Sequence, residues 1–317
     1  MRTFPGAAAA AAGRPPGPLA VAIGNFDGVH LGHQALLREA VARAARAGGQ
    51  AAALTFDPHP ARLFAPDRAP PLIMSLGRRL ELLAEAGVEV AVVQPFTREF
   101  ASIEADAFVT DVLARDLGAR DVIVGYDFSF GRGRAGDTGR LAELGGRLGV
   151  GVAVVPPVTV DGHPCSSTKI RQLVADGRTV DAARLLGRPY EIEGPVARGA
   201  GRGRGLGFPT ANVVPEAELA PSLGIYAARA RVLDGRAAGE VRPAALSVGR
   251  NTTFTGPGTA APVTTEAYLL DFEGDLYDAR LRLEVGERLR EEIRFDSVAA
   301  LTAQIARDVD MVRALSS

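Results

Sequence analysis

The 317-residue chain has a single cysteine, Cys165, and a single lysine, Lys169. One thiol excludes an internal disulfide and any zinc cluster built on cysteines, and it fits a reducing, cytoplasmic compartment. No apolar run reaches the roughly 20 residues of a membrane-spanning helix. Neither sign of charge dominates: 36 Lys+Arg stand against 37 Asp+Glu, for a net charge of -1. Such a chain has no global pull toward nucleic acid or an anionic membrane, so any anion site must be local. Nearly all the positive charge is arginine. That reads first as coding bias, although guanidinium groups can grip phosphate through two parallel bonds. The first 18 residues carry an Ala tract among Pro and Gly and weakly mimic a signal peptide. Because residues 19–24 run straight into a motif of catalytic character, a frayed low-complexity extension is the expectation.

What the chain does contain is an ordinary globular composition, 47% hydrophobic and 23% charged, at a length that suits two domains. Strand-like runs at 19–24, 51–56, 88–94, 121–125 and 151–155 alternate with helical stretches at 32–48, 76–87, 104–117, 138–148 and 167–176. In the first helix Leu36, Ala40 and Ala44 share a face. This rhythm predicts an α/β domain, Rossmann-like, with a parallel sheet covered by helices on both faces and ligands at the carboxyl ends of the strands. The rhythm changes near Gly187. Short runs at 190–197, 224–232, 244–248, 265–272 and 279–285 follow, separated by Gly, Pro and Asp, and only 297–315 reads as helix. These predict an antiparallel barrel or sandwich closed by a C-terminal helix. The expected domains are 1–186 and 187–317, with no internal repeat.

The strongest motif is GNFDGVHLGH at 24–33, directly after the first strand and opening the first helix. It holds Gly24, Phe26, Asp27, His30, Gly32 and His33. Two imidazoles three residues apart at a helix start face one small region. The helix end adds N–H donors and a positive dipole, and Gly32 lets a phosphate approach the backbone. The set suits nucleotidyl transfer, in which the histidines stabilise charge growing on an α-phosphate and its leaving pyrophosphate. The plainer alternative is two helix-start residues with no special role, and the concentration of two of the four histidines here speaks against it.

A second signal, Ser166, Ser167, Thr168, Lys169 and Arg171, places hydroxyls and cations at a helix start, where capping alone needs one hydroxyl. Cys165 beside it reads as a packed residue rather than a nucleophile. Segments 55–60 and 125–131 combine aromatics with acids at strand ends, where rings such as Phe56 and Phe128 can stack on a flat ligand or simply fill the core. In the second domain a basic Gly-rich loop at 198–207 runs into Phe208–Asn212; it fits neither GxGxxG nor Walker A. A different phosphate loop and a floppy surface loop both remain open. In the first reading, Thr210 and Asn212 lie near a Mg2+ ion. Glu266, in a strand-like run, reads from pattern alone as an exposed strand residue; a carboxylate there could also accept a hydroxyl proton.

Taken together, the motifs resemble those of the bacterial bifunctional riboflavin kinase/FAD synthetases over essentially the whole chain. GNFDGVHLGH, TFDPHP, VGYDFSFGRGR and CSSTKIR occur in the order of that family's nucleotidyltransferase module. GRGLGFPTAN, GIYA, TEAYLLDF and LREEIRFDS follow in the order of its kinase module. The resemblance implies ATP-dependent phosphorylation of riboflavin to FMN by a C-terminal β-barrel, and adenylylation of FMN to FAD with release of pyrophosphate by the N-terminal domain. It implies that His30 and His33 stabilise adenylyl transfer. ATP would meet Gly24, Phe26, Asp27, Gly32, Asp127, Ser167, Thr168, Lys169 and Arg171. In the kinase, ATP would meet Gly205, Gly207, Thr210 and Asn212, the last two with Mg2+, and Glu266 would be the base. Flavin contacts would fall to Phe56, Pro58, Phe128, Arg290 and Phe295. Riboflavin, FMN, FAD and ATP are the small molecules implied, with weak self-association the one protein contact left open.

The chain departs from the family pattern at Lys169, where Arg is usual, at Thr252, where Pro is usual, at Tyr268, where His is usual, and at Asp278, where Gly is usual. Three of these lie in the kinase half, so a diverged member that acts on a flavin analogue, or that keeps only the adenylyltransferase, is the alternative. A non-enzymatic flavin sensor would not need His30, His33 and Glu266. A tRNA-directed enzyme, which would share a similar helix-start motif, is disfavoured by the short length and near-neutral charge.

Overall fold

A computed structural model describes residues 1–14, 16–199, 202–250 and 263–316. Its contacts divide the chain into two compact units, Met1–Pro70 with Leu76–Ser166, and Pro71–Ser75 with Ser167–Ser317.

The first unit is built on a sheet of six parallel strands. In spatial order they are Arg2–Phe4, Val90–Pro95, Gln50–Asp57, Leu19–Ile23, Ala119–Gly125 and Gly151–Val155. All of Leu19–Ile23 is buried, which requires cover on both faces. Leu19, Val21 and Ile23 pack with Phe108, Val112 and Leu141 from helices on one side. Alternation turns Ala20 and Ala22 the other way, toward helix Leu31–Ala47. That helix buries Leu36, Leu37, Ala40 and Ala44 and stops at Gly48, where φ is +58°. From Leu19–Ile23 the chain builds outward first on one side and later on the other. The strand order therefore reverses beside it, and a crevice opens at its carboxyl end, the usual ligand position in such sheets.

The N-terminus corrects the expectation of a frayed extension. Arg2–Phe4 pairs with Val90–Val92 as the sheet's edge strand, and Ala7–Gly13 is a helix with Ala7 and Ala10 in the core. A helix of six alanines and a glycine has no apolar–polar contrast to betray its buried face, yet its small side chains allow close packing.

The second unit is a closed barrel of six antiparallel strands: Tyr190–Ala197, Ala211–Val213, Val263–Leu269, Val241–Arg250, Gly224–Val232 and Arg280–Arg290. Tyr190–Pro195 pairs with Arg280–Val285 and shuts the ring, which decides between barrel and sandwich. Gly194 is required by close approach, since a Cβ there would lie 1.8 Å from the Val214 carbonyl oxygen. Helix Val298–Leu315 is capped by the Ser297 hydroxyl, which accepts from the Ala300 N–H at 3.1 Å. Val309 and Val312 of this helix pack with Ala227 and Leu270 of the barrel.

Two helices, Ser167–Ala175 and Thr179–Leu186, belong to this unit. The second, not expected from sequence, buries Ala182, Leu185 and Leu186, and its Thr179 hydroxyl donates to the Gly286 carbonyl.

Candidate active sites

The first candidate site lies in the crevice of the parallel sheet. Between strand Leu19–Ile23 and helix Leu31–Ala47 the chain makes a turn in strained backbone: φ is +51° at Phe26, +95° at Gly28 and +39° at Val29. A β-branched residue with positive φ is a genuine outlier, and strain of this kind persists only where the surroundings over-determine it. Phe26 and Asp27 are buried, and the Val29 N–H donates to the Phe26 carbonyl at 3.1 Å. Gly24 donates its N–H to the Leu54 carbonyl, fixing the turn to the neighbouring strand.

His30 is the N-cap of the helix. Its Nδ1 accepts from the His33 N–H at 3.3 Å. With Nδ1 as acceptor, the proton of the neutral ring sits on Nε2. The two imidazoles stack with centroids 3.7 Å apart, and His33 meets the Phe26 ring edge-on at 5.3 Å. Gly32 is a glycine for a physical reason: a Cβ would come within 3.0 Å of the His30 ring and 3.4 Å of the Cys165 carbonyl oxygen. Burial pushes the Cys165 thiol up, partly offset by the Gly32 N–H that faces it.

Beside this turn runs a chain of rings. Phe56 meets Phe96 at 5.5 Å and Phe100 at 6.0 Å. Phe100 leads through Phe108 to Phe130, which stacks on Phe128 at 5.5 Å. Exposed Phe64 closes on Phe96. Phe56 and Phe128, singled out from sequence, are thus joined by rings that sequence reasoning missed. The spacing of Phe96 and Phe100 by four, after a strand, was the available signal. Pro58 and Asp127 are exposed at the ends of their segments, and Asp127 sits beside Gly125. Reading by sequence also missed Arg79, buried to 1% exposure beneath the same strand end.

Ser167, Thr168, Lys169 and Arg171 open helix Ser167–Ala175, which the contacts group with the second unit. Thr168 is exposed, Ser167 and Lys169 are half-buried, and Arg171 Nε donates to the Pro71 carbonyl at 2.8 Å.

The second candidate site lies on the barrel's outer face. Asn212, Glu266, Ser247, Ile225 and Arg290 occupy one register row across neighbouring strands, each half-buried, while their strand neighbours Ala211, Thr265, Val248 and Tyr226 point inward. Glu266 is therefore not a plain exposed strand residue. The Thr210 hydroxyl donates to Glu266 Oε2 at 3.3 Å. Gly199 lies against Asn212, where a Cβ would sit 2.1 Å from its Nδ2. The loop before Thr210 makes a helical turn at Arg202–Gly205 that ends on exposed Gly205, and exposed Gly207 follows with φ +85°. At the other end of the row, Arg290 forms a bidentate pair with Asp308 of the C-terminal helix, at 2.7–3.1 Å, and lies 5.9 Å from the centre of the Phe295 ring.

The departures from the family pattern have local accounts. Tyr268 packs edge-on against Phe208 at 5.4 Å. Asp278 adopts φ +64°, the left-handed region where glycine is natural and Asp is better tolerated than most residues. Thr252 lies outside the described residues. No cluster of three or more His, Cys, Asp or Glu able to hold a metal occurs among the described residues.

Residues 14–169 match the FAD synthetase family and residues 186–316 the riboflavin kinase family. The bifunctional riboflavin kinase/FMN adenylyltransferase of Escherichia coli K12 is 37% identical over 286 residues, 90% of this chain and 89% of that protein. The enzyme of the same description from Pseudomonas fluorescens is 38% identical over 93% of this chain and 92% of its own. A crystal structure described as a macrolide-efflux protein from Streptococcus pneumoniae superposes with a TM-score of 0.84 at 28% identity, covering 99% of both chains.

Proposed function

The chain belongs to the bifunctional riboflavin kinase/FMN adenylyltransferase family, and on that premise we propose that its two reactions are carried by two separate sites, one in each unit's characteristic fold. The enzyme phosphorylates riboflavin to FMN and adenylylates FMN to FAD. The observation that carries the division of labour is the segregation of the motifs. The stacked His30–His33 pair stands at the switch point of the parallel sheet, and the Thr210–Glu266 contact stands on the barrel. The division at 186/187 into an adenylylating domain and a kinase is supported by the two family matches, 14–169 and 186–316, while the helices between 167 and 186 group with the barrel.

In adenylyl transfer, an FMN phosphate oxygen attacks the α-phosphorus of ATP and pyrophosphate leaves. The turn at Gly24–His33 supplies helix-start N–H donors, and the two imidazoles hold the charge that grows on the phosphates. Phe56 and Phe128, half-buried at the two ends of a ring chain whose middle members Phe108 and Phe130 are core, offer the flavin stacking faces, with Pro58 beside Phe56 in the sequence. Asp127 contributes to nucleotide binding, and the motif resemblance gives Ser167, Thr168, Lys169 and Arg171 a phosphate-binding role, Lys169 as a point charge in place of a fork.

In phosphoryl transfer, the riboflavin 5′-hydroxyl oxygen attacks the γ-phosphorus of ATP, Glu266 takes the hydroxyl proton and ADP leaves. The protein offers no cage of carboxylates for a metal among the described residues. Mg2+ commonly arrives on nucleotide phosphates with few protein ligands, all oxygen. The Thr210 hydroxyl and the Asn212 amide oxygen are donors of that kind and fit it. Bound there, the ion supplies neutralisation of phosphate charge. Arg290 acts on flavin indirectly, through its hold on the segment that carries Phe295.

No described helix is long and apolar enough to cross a membrane, and we place the enzyme in the cytoplasm, acting on small molecules without nucleic acid or membrane partners and with at most weak self-association. The test is incubation of the purified chain with ATP, Mg2+ and either riboflavin or FMN, with products resolved by chromatography. FMN and then FAD from riboflavin supports the reading. FAD from supplied FMN with no product from riboflavin defeats the kinase half.

A further inference from the structure

Arg79 lies on helix Leu76–Glu85 and is 1% exposed, among the largest fully buried side chains of the described residues. A guanidinium is costly to bury unless it is paired and hydrogen-bonded. Among the described residues no carboxylate takes both arms of its fork. Its Nη1 donates instead to the Thr55 hydroxyl at 3.4 Å and to the Phe56 carbonyl at 3.3 Å, and its Nε has no hydrogen-bond partner among the described residues. The Thr55 hydroxyl, itself fully buried, passes the contact on by donating to the Asn25 carbonyl at 3.0 Å. Asp27 and Asp57 are the counter-charges that face the guanidinium, and they oppose the downward push of burial on its pKa.

These contacts join two segments that have no covalent link close by. One is the strained turn Asn25–Asp27 that leads into the histidine pair. The other is the strand end Thr55–Asp57 that carries Phe56 into the ring chain. On the reading given above, the first segment holds the nucleotide and the second the flavin.

We propose that Arg79 is a positioning residue for adenylyl transfer: through the Thr55 hydroxyl and the Phe56 carbonyl it sets the nucleotide turn against the flavin-bearing strand end, so that the FMN phosphate and the α-phosphorus of ATP meet in line. This proposal rests on the assignment of adenylyl transfer to the Gly24–His33 turn. Misplacement by about 1 Å can cost on the order of 100-fold in rate, and that is the scale of effect at stake.

The experiment compares three full-length variants, Arg79→Met, Thr55→Val and His33→Ala, in FAD formation from FMN and in FMN formation from riboflavin. Arg79→Met removes the charge at similar length. Thr55→Val is nearly isosteric and removes only the relay hydroxyl, so it serves should Arg79→Met fail to fold. Both are expected to lower kcat/KM for FMN adenylylation, Arg79→Met by about 100-fold and Thr55→Val by about 10-fold, with KM for FMN raised and riboflavin phosphorylation unchanged. A purely structural arginine gives a different result: the loss follows the folded fraction, so that kcat per folded molecule and KM for FMN both stay at the wild-type value in both variants, and that outcome overturns the proposal. If His33→Ala leaves FAD formation intact, the site assignment itself fails and takes the proposal with it. If His33→Ala abolishes FAD formation while Arg79→Met and Thr55→Val keep wild-type kinetics, the site stands and Arg79 does not position it.

Discussion

The Thr210 hydroxyl, just before strand Ala211–Val213, donates to the Glu266 carboxylate of the neighbouring strand at 3.3 Å. The bond holds one carboxylate oxygen, and Glu266 lies in register between Asn212 and Ser247 on the barrel's outer face. A carboxylate held by one oxygen keeps a second oxygen that can take up a proton, as a general base requires.

Glu266→Gln keeps the shape and still accepts from Thr210, so the barrel is expected to fold normally. It cannot take up a proton. FMN formation from riboflavin should fall by about 10²–10⁴-fold, the usual share of general-base catalysis. FAD formation from supplied FMN should stay near wild type. Initial rates with saturating ATP and Mg2+ check both. Asp271, the next carboxylate on the chain, is a poor substitute base: Arg313 grips both its oxygens and holds its pKa below the usual range.

The two histidines should separate in a way that only their geometry explains. His30 caps the helix with Nδ1, so His30→Ala removes a cap as well as an imidazole and should cost about 1 kcal/mol of stability. His33 has no capping role of that kind, and His33→Ala should lower FAD formation with a smaller stability loss. Urea midpoints beside FAD rates measure the difference. Equal destabilisation by both substitutions would contradict the capping geometry.

Much of this was legible in the sequence, and the reasons differ by element. Helix Leu31–Ala47 announced itself through Leu36, Ala40 and Ala44 at a spacing of four, and strand Gly151–Val155 through a bounded β-branched run. Helix Ala7–Gly13 did not, because a uniform Ala run has no periodicity. Strand Ala211–Val213 hid within a Pro/Gly-rich loop and gains its strand character only from partners on both sides. At the sites, the residues with motif character were visible: His30, His33, Thr210 and Glu266. Arg79 was not, because a buried arginine on an amphipathic helix looks in sequence like a solvent-facing one. The engagement of Arg290 by Asp308, 18 positions away on another element, is likewise a tertiary fact.

Asp278 should be a small brake on stability. Its φ of +64° is left-handed, and its N–H already donates to the Val196 carbonyl at 3.1 Å, so the backbone is held there. Asp278→Gly should stabilise the barrel by about 0.5 kcal/mol, the relief of strain being partly offset by the greater freedom of glycine in the unfolded chain. A urea midpoint shift of the opposite sign would mean that the Asp side chain contributes more than the strain it bears.

Cys165 should report on the nucleotide turn. Burial pushes its thiol up, so its thiolate fraction at neutral pH is below that of a free cysteine. Alkylation by iodoacetamide should be slower than for a free thiol at pH 7 and should accelerate only at higher pH. Because the Gly32 N–H faces the sulfur, ATP should slow the reaction further. Mass spectrometry of the single thiol across a pH series, with and without ATP, measures both effects.

The last prediction concerns where the kinase begins. A sequence-based cut at Gly187 keeps every barrel strand. It removes helix Thr179–Leu186, whose Ala182, Leu185 and Leu186 are buried and whose Thr179 hydroxyl bonds to the Gly286 carbonyl. Each large aliphatic side chain withdrawn from the fold costs about 1.5–3 kcal/mol, and a marginally stable domain of this size can lose most of its stability to two of them. A fragment 167–317 should therefore show a higher urea midpoint than a fragment 187–317, by an amount corresponding to about 3 kcal/mol once the entropy of ordering the helix is set against the burial. Both should phosphorylate riboflavin where they are folded, since the Thr210–Glu266 row is complete in each. The measurement is urea unfolding of the two fragments beside their initial rates. Equal midpoints would show that the helix adds nothing to the barrel and that the kinase domain begins at Gly187. A lower midpoint for the longer fragment would show that residues 167–186 need the parallel-sheet unit to fold.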